Sequence, residues 1–542
     1  MDVVRRSVLL SMCLSLAALH ALPALAQKSQ STVATAGESR AIKAFEKARI
    51  GPANGLALDA FLRRMPKGGD LHMHLSGAVY AESFIADAVQ DGICVNPKTD
   101  SFVRDTAHTP AGSCAEGTVS AASILKDQKL YDALVDSFSM RAFVPTTGVN
   151  GHDQFFATFE RFGGLDKSHT AEWLDEVASR AAAQNEQYLE IMVTPSFSAS
   201  AKLGYALGWP TTPVPGSHGD IAGTSAQQLS ELREKLLAGA VRDEAAVDRK
   251  ELGNALAARN RIEHCGEPSA KPACAVTIRF IYQILRAFPP QQVFAQTLLG
   301  FEVASTDPSV VGLNFVQPED DYTAMSEYSR QMHMLDYLHS AYPKVHITLH
   351  AGELAPGMVP PNGTSFHIRE AVELGHAERI GHGVDVMYET DPSPLLKQMA
   401  DRHIMVEINL TSNDVILGVV PPFHPLPLYR QAHVPVALST DDEGVSRIDI
   451  THEYTRAALE YHLGYLDLKQ LARTSIEHSF LAGESLWAKP DIFGRTNGAC
   501  AGQKLGAESP TGACLRFLKA NDKAAQQWEL EHRFAVFEST TQ

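Results

Sequence analysis

The sequence predicts a (β/α)8 barrel of the TIM type that carries two insertions. Three observations predict it: eight short apolar runs bounded by turn formers, helix-like stretches between them, and His or Asp residues closing four of the runs. Short continuous apolar runs are the pattern of parallel strands covered on both faces. Eight strand–helix units point to a closed barrel rather than an open sheet.

Residues 1–26 read as a cleavable signal peptide. Arg5 and Arg6 form a basic start, the run 7–22 is mostly apolar, and Ala24-Leu25-Ala26 fits the small-x-small cleavage rule. The mature chain then begins near Gln27, and the protein is expected in the periplasm or outside the cell. The apolar run falls short of the ~20 residues a bilayer span needs, so no membrane anchor is expected. Residues 27–40 are small and polar, a flexible leader, and a helical stretch over 39–64 completes an N-terminal segment of 27–66.

The barrel itself is expected over 67–490, with strands at 69–75, 188–193, 276–281, 310–315, 345–349, 378–381, 404–408 and 434–438. One insertion lies near 91–130. The other lies near 198–274, opens on a linker containing Trp209-Pro210-Thr211-Thr212-Pro213, and continues as a charged helical stretch over 225–261. A C-terminal loop and helix fill 491–542, with the helix over 515–537.

Composition narrows the function class. Charged residues make up 20% and apolar residues 44%, the balance of a globular chain with an ample core. The formal net charge of −16 has the wrong sign for a phosphate backbone, so nucleic acid is not an expected partner. Of the seven cysteines, Cys13 lies in the signal segment. The other six allow 15 pairings. Their clustering along the chain favours Cys94–Cys114, Cys265–Cys274 and Cys500–Cys514, as suits an oxidising compartment. None has CxxC spacing, so a cysteine zinc site is not expected.

Four motifs carry chemistry. His72 and His74 form an H-x-H at the end of the first run; on a strand, i and i+2 face the same way and can meet one metal ion. His350-Ala351-Gly352-Glu353 closes another run with a metal-ligand type and a carboxyl suited to general acid work. His382 sits between Gly381 and Gly383, and Asp441-Asp442-Glu443 follows the last run, where adjacent acids need a positive neighbour. Each motif alone admits a plainer reading: core or solvated histidines, a capping glutamate, an acidic turn. Together they occupy the C-terminal ends of four barrel strands, the rim where such barrels build active sites. A metal held by His72, His74, His350 and Asp441 would make hydroxide available near neutral pH for hydrolysis at an electrophilic carbon.

These motifs resemble those of the adenosine deaminase family. The resemblance runs from about Lys67 to about Leu486 and rests on Lys67-Gly68-Gly69-Asp70-Leu71-His72-Met73-His74-Leu75, His350-Ala351-Gly352-Glu353, Arg379-Ile380-Gly381-His382-Gly383 and Ser439-Thr440-Asp441-Asp442, with support from Asn409-Leu410-Thr411-Ser412-Asn413. It implies one zinc ion per chain, bound by His72, His74, His350 and Asp441. It further implies that Glu353 protonates N1 of a purine, that His382 positions the metal-bound hydroxide attacking C6, and that Asp442 meets N7. Adenosine, and deoxyadenosine with it, would become inosine-type products with release of ammonia. Two positions depart from the family pattern: Ser76 stands where an acidic residue commonly contacts the ribose, and Gln317 where a glycine commonly meets the purine N3. Export and the Cys94/Cys114 insertion also resemble the secreted, growth-factor-like members, which implies a homodimer.

Three other readings stay open: a deaminase of another 6-aminopurine, a different barrel amidohydrolase, and a non-catalytic extracellular nucleoside binder. The amidohydrolase ordinarily needs a bridging lysine or a binuclear site. The binder would be marked by a broken catalytic set, and none of its residues is missing here.

Overall fold

The computed structural model describes residues 34–50, 54–103, 114–146, 148–165, 167–210 and 224–541. The signal segment 1–26, the first part of the leader and residues 211–223 of the linker lie outside the described residues.

Eight parallel strands form one sheet in sequential order. They are β1 (Gly68–His74), β2 (Glu186–Val193), β3 (Thr277–Leu285), β4 (Val310–Val316), β5 (His346–Ala351), β6 (Arg379–His382), β7 (Met405–Ile408) and β8 (Val436–Leu438). The last strand returns to the first. Met73 bridges Asp441 in parallel, the Asp441 N–H donates to the His72 carbonyl at 2.9 Å, and the His74 N–H donates to the Asp441 carbonyl at 3.1 Å. The sheet is thus a closed (β/α)8 barrel, and all eight predicted runs coincide with its strands.

The strands are buried along nearly their whole length, which is why they read as apolar runs. The exceptions are informative. Arg379 of β6 lies 2.7 Å from Glu190 of β2 and 2.6 Å from Glu407 of β7, with all three side chains almost fully buried. Charges survive inside a barrel when they are paired in this way.

Four of the differences from the sequence reading are informative. Leu75 starts a short helix, Leu75–Ala78, instead of ending β1. β3 extends to Leu285, because Gln283 turns inward toward polar partners and interrupts the apolar run. The leader ends earlier than 40: Thr35 and Glu38 exchange backbone-to-side-chain hydrogen bonds of 2.8 and 3.1 Å, a reciprocal cap that starts a helix at Ala36. The stretch expected over 39–64 is accordingly two helices, Ala36–Ile50 and Asn54–Arg64.

The insertions and the tail pack on the barrel. The first contains a small antiparallel sheet of Cys94–Asn96, Ser101–Phe102 and Val119–Ser120, tied by Cys94–Cys114. The second contains helices Ala226–Ala238 and Val241–Ile262, followed by the Cys265–Cys274 bridge. The tail carries Cys500–Cys514 and two helices, Gly512–Ala520 and Asp522–Thr540, where one was expected. Asn521 is extended and its side chain donates to the Phe517 carbonyl at 2.8 Å, which ends the first helix. All three disulfides follow the pairing that the clustering favours. Among the described residues, no helix is long and apolar enough to cross a membrane.

Candidate active site

The four motif-bearing strand ends converge at the C-terminal mouth of the barrel. Alternation along β1 turns His72 and His74 to the same side. Their Nε2 atoms lie 3.1 and 3.2 Å from Nε2 of His350 at the end of β5. Asp441 Oδ1 lies 3.4 Å from His72 Nε2 and 3.2 Å from His74 Nε2. Four donor atoms tetrahedrally placed at zinc–ligand distances of about 2.0–2.2 Å would be about 3.4 Å apart. Lone pairs of three imidazoles and one carboxylate therefore face one small volume, and the donor set fits a divalent transition-metal ion.

The far side of two of the three imidazoles supports that assignment. His72 Nδ1 lies 2.6 Å from Glu407 Oε2, and His350 Nδ1 lies 3.0 Å from Asn314 Oδ1. His74 Nδ1 pairs with the side-chain amide of Gln283. An acceptor on Nδ1, as His72 and His350 have, holds the proton there and leaves Nε2 free to ligate; the atom nearest His74 Nδ1 is the amide nitrogen of Gln283, a donor. Asp441 is also fixed: Ser412 Oγ donates to its Oδ2 at 2.6 Å, and its backbone takes φ 60°, a left-handed conformation held by the barrel-closing bonds. Asp70 completes the joint, accepting from the His72 N–H at 3.0 Å and from Thr440 N and Oγ1 at 3.0 and 2.6 Å.

Around the ligands stand three more groups. His382 has φ 68° and brings Nε2 to 3.9 Å from Asp441 Oδ2 and Nδ1 to 3.6 Å from Glu353 Oε1. Burial, against the pull of Asp441, lowers its pKa to about 3, so the ring is neutral. Burial and the charges of Asp441 and Glu319 push the Glu353 carboxyl well above its usual range. A carboxyl that keeps its proton near neutral pH is a general acid. Burial and repulsion from Asp441 raise Asp442 in the same sense, and its buried Oδ1 has no hydrogen-bond partner among the described residues.

Two glycines make room. A Cβ on Gly77 would sit 1.5 Å from Asp442 Oδ1, and one on Gly381 would sit 2.6 Å from His72 Cε1. Ser76 is exposed and lines a cavity of about 700 Å³ with Thr194, Gln283 and, from the second insertion, Asn254. Gln317 does not present its side chain to the ligands: Oε1 accepts from the Ala287 N–H at 2.9 Å. Its backbone has φ 89°, the left-handed region that glycine favours. A larger cavity of about 930 Å³ lies at the other pole, near the start of β8, among residues such as His433, Pro435 and Asp467, away from this chemistry.

Sequence reasoning missed Glu407, Gln283, Asn314 and Glu319. The first three are polar residues inside otherwise apolar strands, which is the signal that could have found them. Glu319 accepts from the Gly352 and Glu353 N–H groups at 2.9 and 2.7 Å and pairs with His367. It thereby fixes the backbone that carries Glu353.

A family model, individual relatives and solved structures resemble this chain. The family model described as "Adenosine deaminase" matches residues 169–487. That match starts beyond β1 and so does not include His72 and His74. An adenine deaminase of Rhizobium rhizogenes is 30% identical over 218 residues, 40% of this chain and 62% of that protein. An adenosine deaminase of Escherichia coli is 38% identical over 140 residues, 26% of this chain and 39% of that protein. The chain thus spans less than two thirds of the length of either relative. An amidohydrolase of Burkholderia ambifaria, solved with bound zinc, shares the fold with TM-score 0.52 at 17% identity, over 91% of this chain and 95% of that one.

Proposed function

This chain belongs to the adenosine deaminase family, and from that premise we propose that it is a zinc-dependent hydrolase that deaminates adenosine, and deoxyadenosine with it. The observation that carries the reading is the convergence of His72, His74, His350 and Asp441 beside a buried Glu353, whose carboxyl burial pushes above its usual range. The donor set suits zinc, and the amidohydrolase of like fold was solved with that ion. When bound, zinc supplies a water acidified to near neutral pH as the nucleophile.

The chain's own residues do the rest. Glu353 gives its proton to N1 of the purine, which draws electrons from C6. His382 holds the attacking oxygen in line with C6, and Asp442 fixes the ring at N7. The adduct's O–H proton then passes to the amino nitrogen, the C6–N bond breaks with its electron pair going to nitrogen, ammonia leaves, and the carbonyl of the product forms. These roles balance as addition of water and loss of ammonia, with no redox partner.

Adenine is the second reading, favoured by the adenine deaminase relatives and by Ser76 in place of an acid. The cavity of about 700 Å³ that Ser76 lines offers room for a sugar beside the base and supports a nucleoside. The side chain of Gln317 is held by Ala287 and leaves glycine's backbone conformation in place, so that substitution does not count against adenosine. We place the activity outside the cytoplasm, on the basic start and apolar run of 1–26 and on three disulfides.

Zinc-loaded protein should be assayed by ultraviolet absorbance against adenosine, deoxyadenosine, adenine and AMP, with metal analysis. One zinc per chain and the highest kcat/KM on the nucleosides are expected. Turnover of adenine alone would transfer the assignment to the second reading, and no turnover of any of the four would overturn both.

A further inference from the structure

His382 meets two side-chain amides at Nδ1 and none at Nε2. Asn413 Nδ2 lies 2.9 Å from Nδ1 and Asn409 Nδ2 lies 3.4 Å from it, whereas Nε2 is buried with no hydrogen-bond partner among the described residues. Imidazoles and carboxamides can each be turned either way, so these distances alone do not locate the proton.

The chain of contacts beyond Asn413 locates it. Asn413 Oδ1 lies 3.0 Å from His424 Nε2, and the backbone nitrogen of Leu426 lies 3.1 Å from His424 Nδ1. A backbone N–H can only donate. His424 Nδ1 is therefore an acceptor, and a neutral His424 carries its proton on Nε2 and donates it to Asn413 Oδ1. The Asn413 amide is then oriented with its NH2 toward His382, and His382 Nδ1 accepts. The remaining ring proton of His382 must sit on Nε2, the side facing Asp441.

The surroundings agree. Burial and the charge of Arg456 lower His424 to about 3, which keeps it neutral; Tyr461, with ring centroids 5.6 Å apart, packs edge-on against it. The Glu353 carboxyl lies 3.6 Å from His382 Nδ1, outside hydrogen-bond reach, so Asn413 decides the tautomer.

Resting on the deaminase reading above, we propose that Asn413 and His424 are positioning residues that lock His382 in the tautomer protonated on Nε2. His382 then enters the reaction as a hydrogen-bond donor to the attacking oxygen and not as the base that takes its proton.

Neutron diffraction from deuterium-exchanged, zinc-loaded protein reads the tautomer without any turnover. Deuterium is expected on Nε2 of both His382 and His424; deuterium on Nδ1 of His382 overturns the proposal. Asn413→Asp is nearly isosteric but replaces the donor by an acceptor, and should pull the His382 proton to Nδ1. Its kcat should fall by up to ~10⁴-fold with KM within about threefold, the scale on which a wrong imidazole tautomer costs a hydrolase. Wild-type kcat in this variant, with zinc retained, also overturns the proposal. His424→Gln keeps an N–H for Asn413 and should retain most activity, whereas His424→Leu should not; equal losses in the two would mean that His424 only fills space. If wild-type protein turns over no 6-aminopurine, the deaminase reading fails, while the neutron result still decides the tautomer.

Discussion

Asp441 is joined to His72 twice. Its N–H donates to the His72 carbonyl at 2.9 Å, and its Oδ1 lies 3.4 Å from His72 Nε2. The seam that closes the barrel and the candidate metal site are therefore the same joint.

Metal removal should loosen that seam. A ligand held only by the folded state stabilises it by about 2.7 kcal/mol at a hundredfold excess over its Kd. Chelation is expected to lower Tm measurably, with recovery on zinc addition. Asp441→Ala should show the lower Tm from the start and no response to chelator. Calorimetry with and without chelator checks this, and a chelator-insensitive Tm in wild-type protein would contradict it.

Glu353→Gln keeps the shape and removes the proton donor. Loss of one general acid costs roughly 10²–10⁴-fold in rate. The variant should retain zinc and bind a purine nucleoside while kcat falls on that scale. Unchanged kcat would remove Glu353 from the mechanism.

Gly77→Ala would press a Cβ to 1.5 Å from Asp442 Oδ1. Asp442 must move, so kcat/KM should fall at least ~10-fold through a lost purine contact worth about 1.4 kcal/mol or more. Zinc content should hold, because the atoms nearest that Cβ all belong to Asp442 and not to the four ligands. Steady-state kinetics with metal analysis separates the two outcomes.

Glu319 gives a pH signature in stability. Its burial is outweighed by His367 and by backbone and Arg286 contacts, which hold its pKa down at about 2. A depressed folded-state pKa contributes stability that is complete above the unfolded value near 4.3 and is lost as pH falls toward 2. Glu319→Gln should therefore cost about 3 kcal/mol at pH 6, on the scale of 1.36 kcal/mol per pKa unit, and progressively less toward pH 2. Denaturant midpoints of both proteins across that range provide the check, and a pH-independent difference would exclude the ion pair as its source.

The strands were legible because each is buried on both faces, and the ligands because H-x-H, His350, His382 and Asp441 close strands at one pole. The supporting side chains were less legible because their partners are remote: Glu407 is 335 residues from His72, and Gln283 is 209 from His74. Gln283 also shortened the predicted β3, since an inward polar residue breaks an apolar run. Helix breaks were missed where the cause is a single side chain, as with Asn521 bonding back to Phe517. Gln317 shows the converse: the sequence departs from the family pattern, yet the backbone at that position keeps the conformation a glycine would take.

The buried ion network of β2, β6 and β7 bears on which ion the site accepts. Glu190 and Glu407 share the single Arg379 guanidinium, so the trio carries a net negative charge behind His72, and Asp441 adds its own carboxylate to the ligand cluster. A cation seated among the ligands offsets that surplus, which is otherwise penalised away from water. The strands thus favour a positively charged occupant as well as supply the geometry of its ligands.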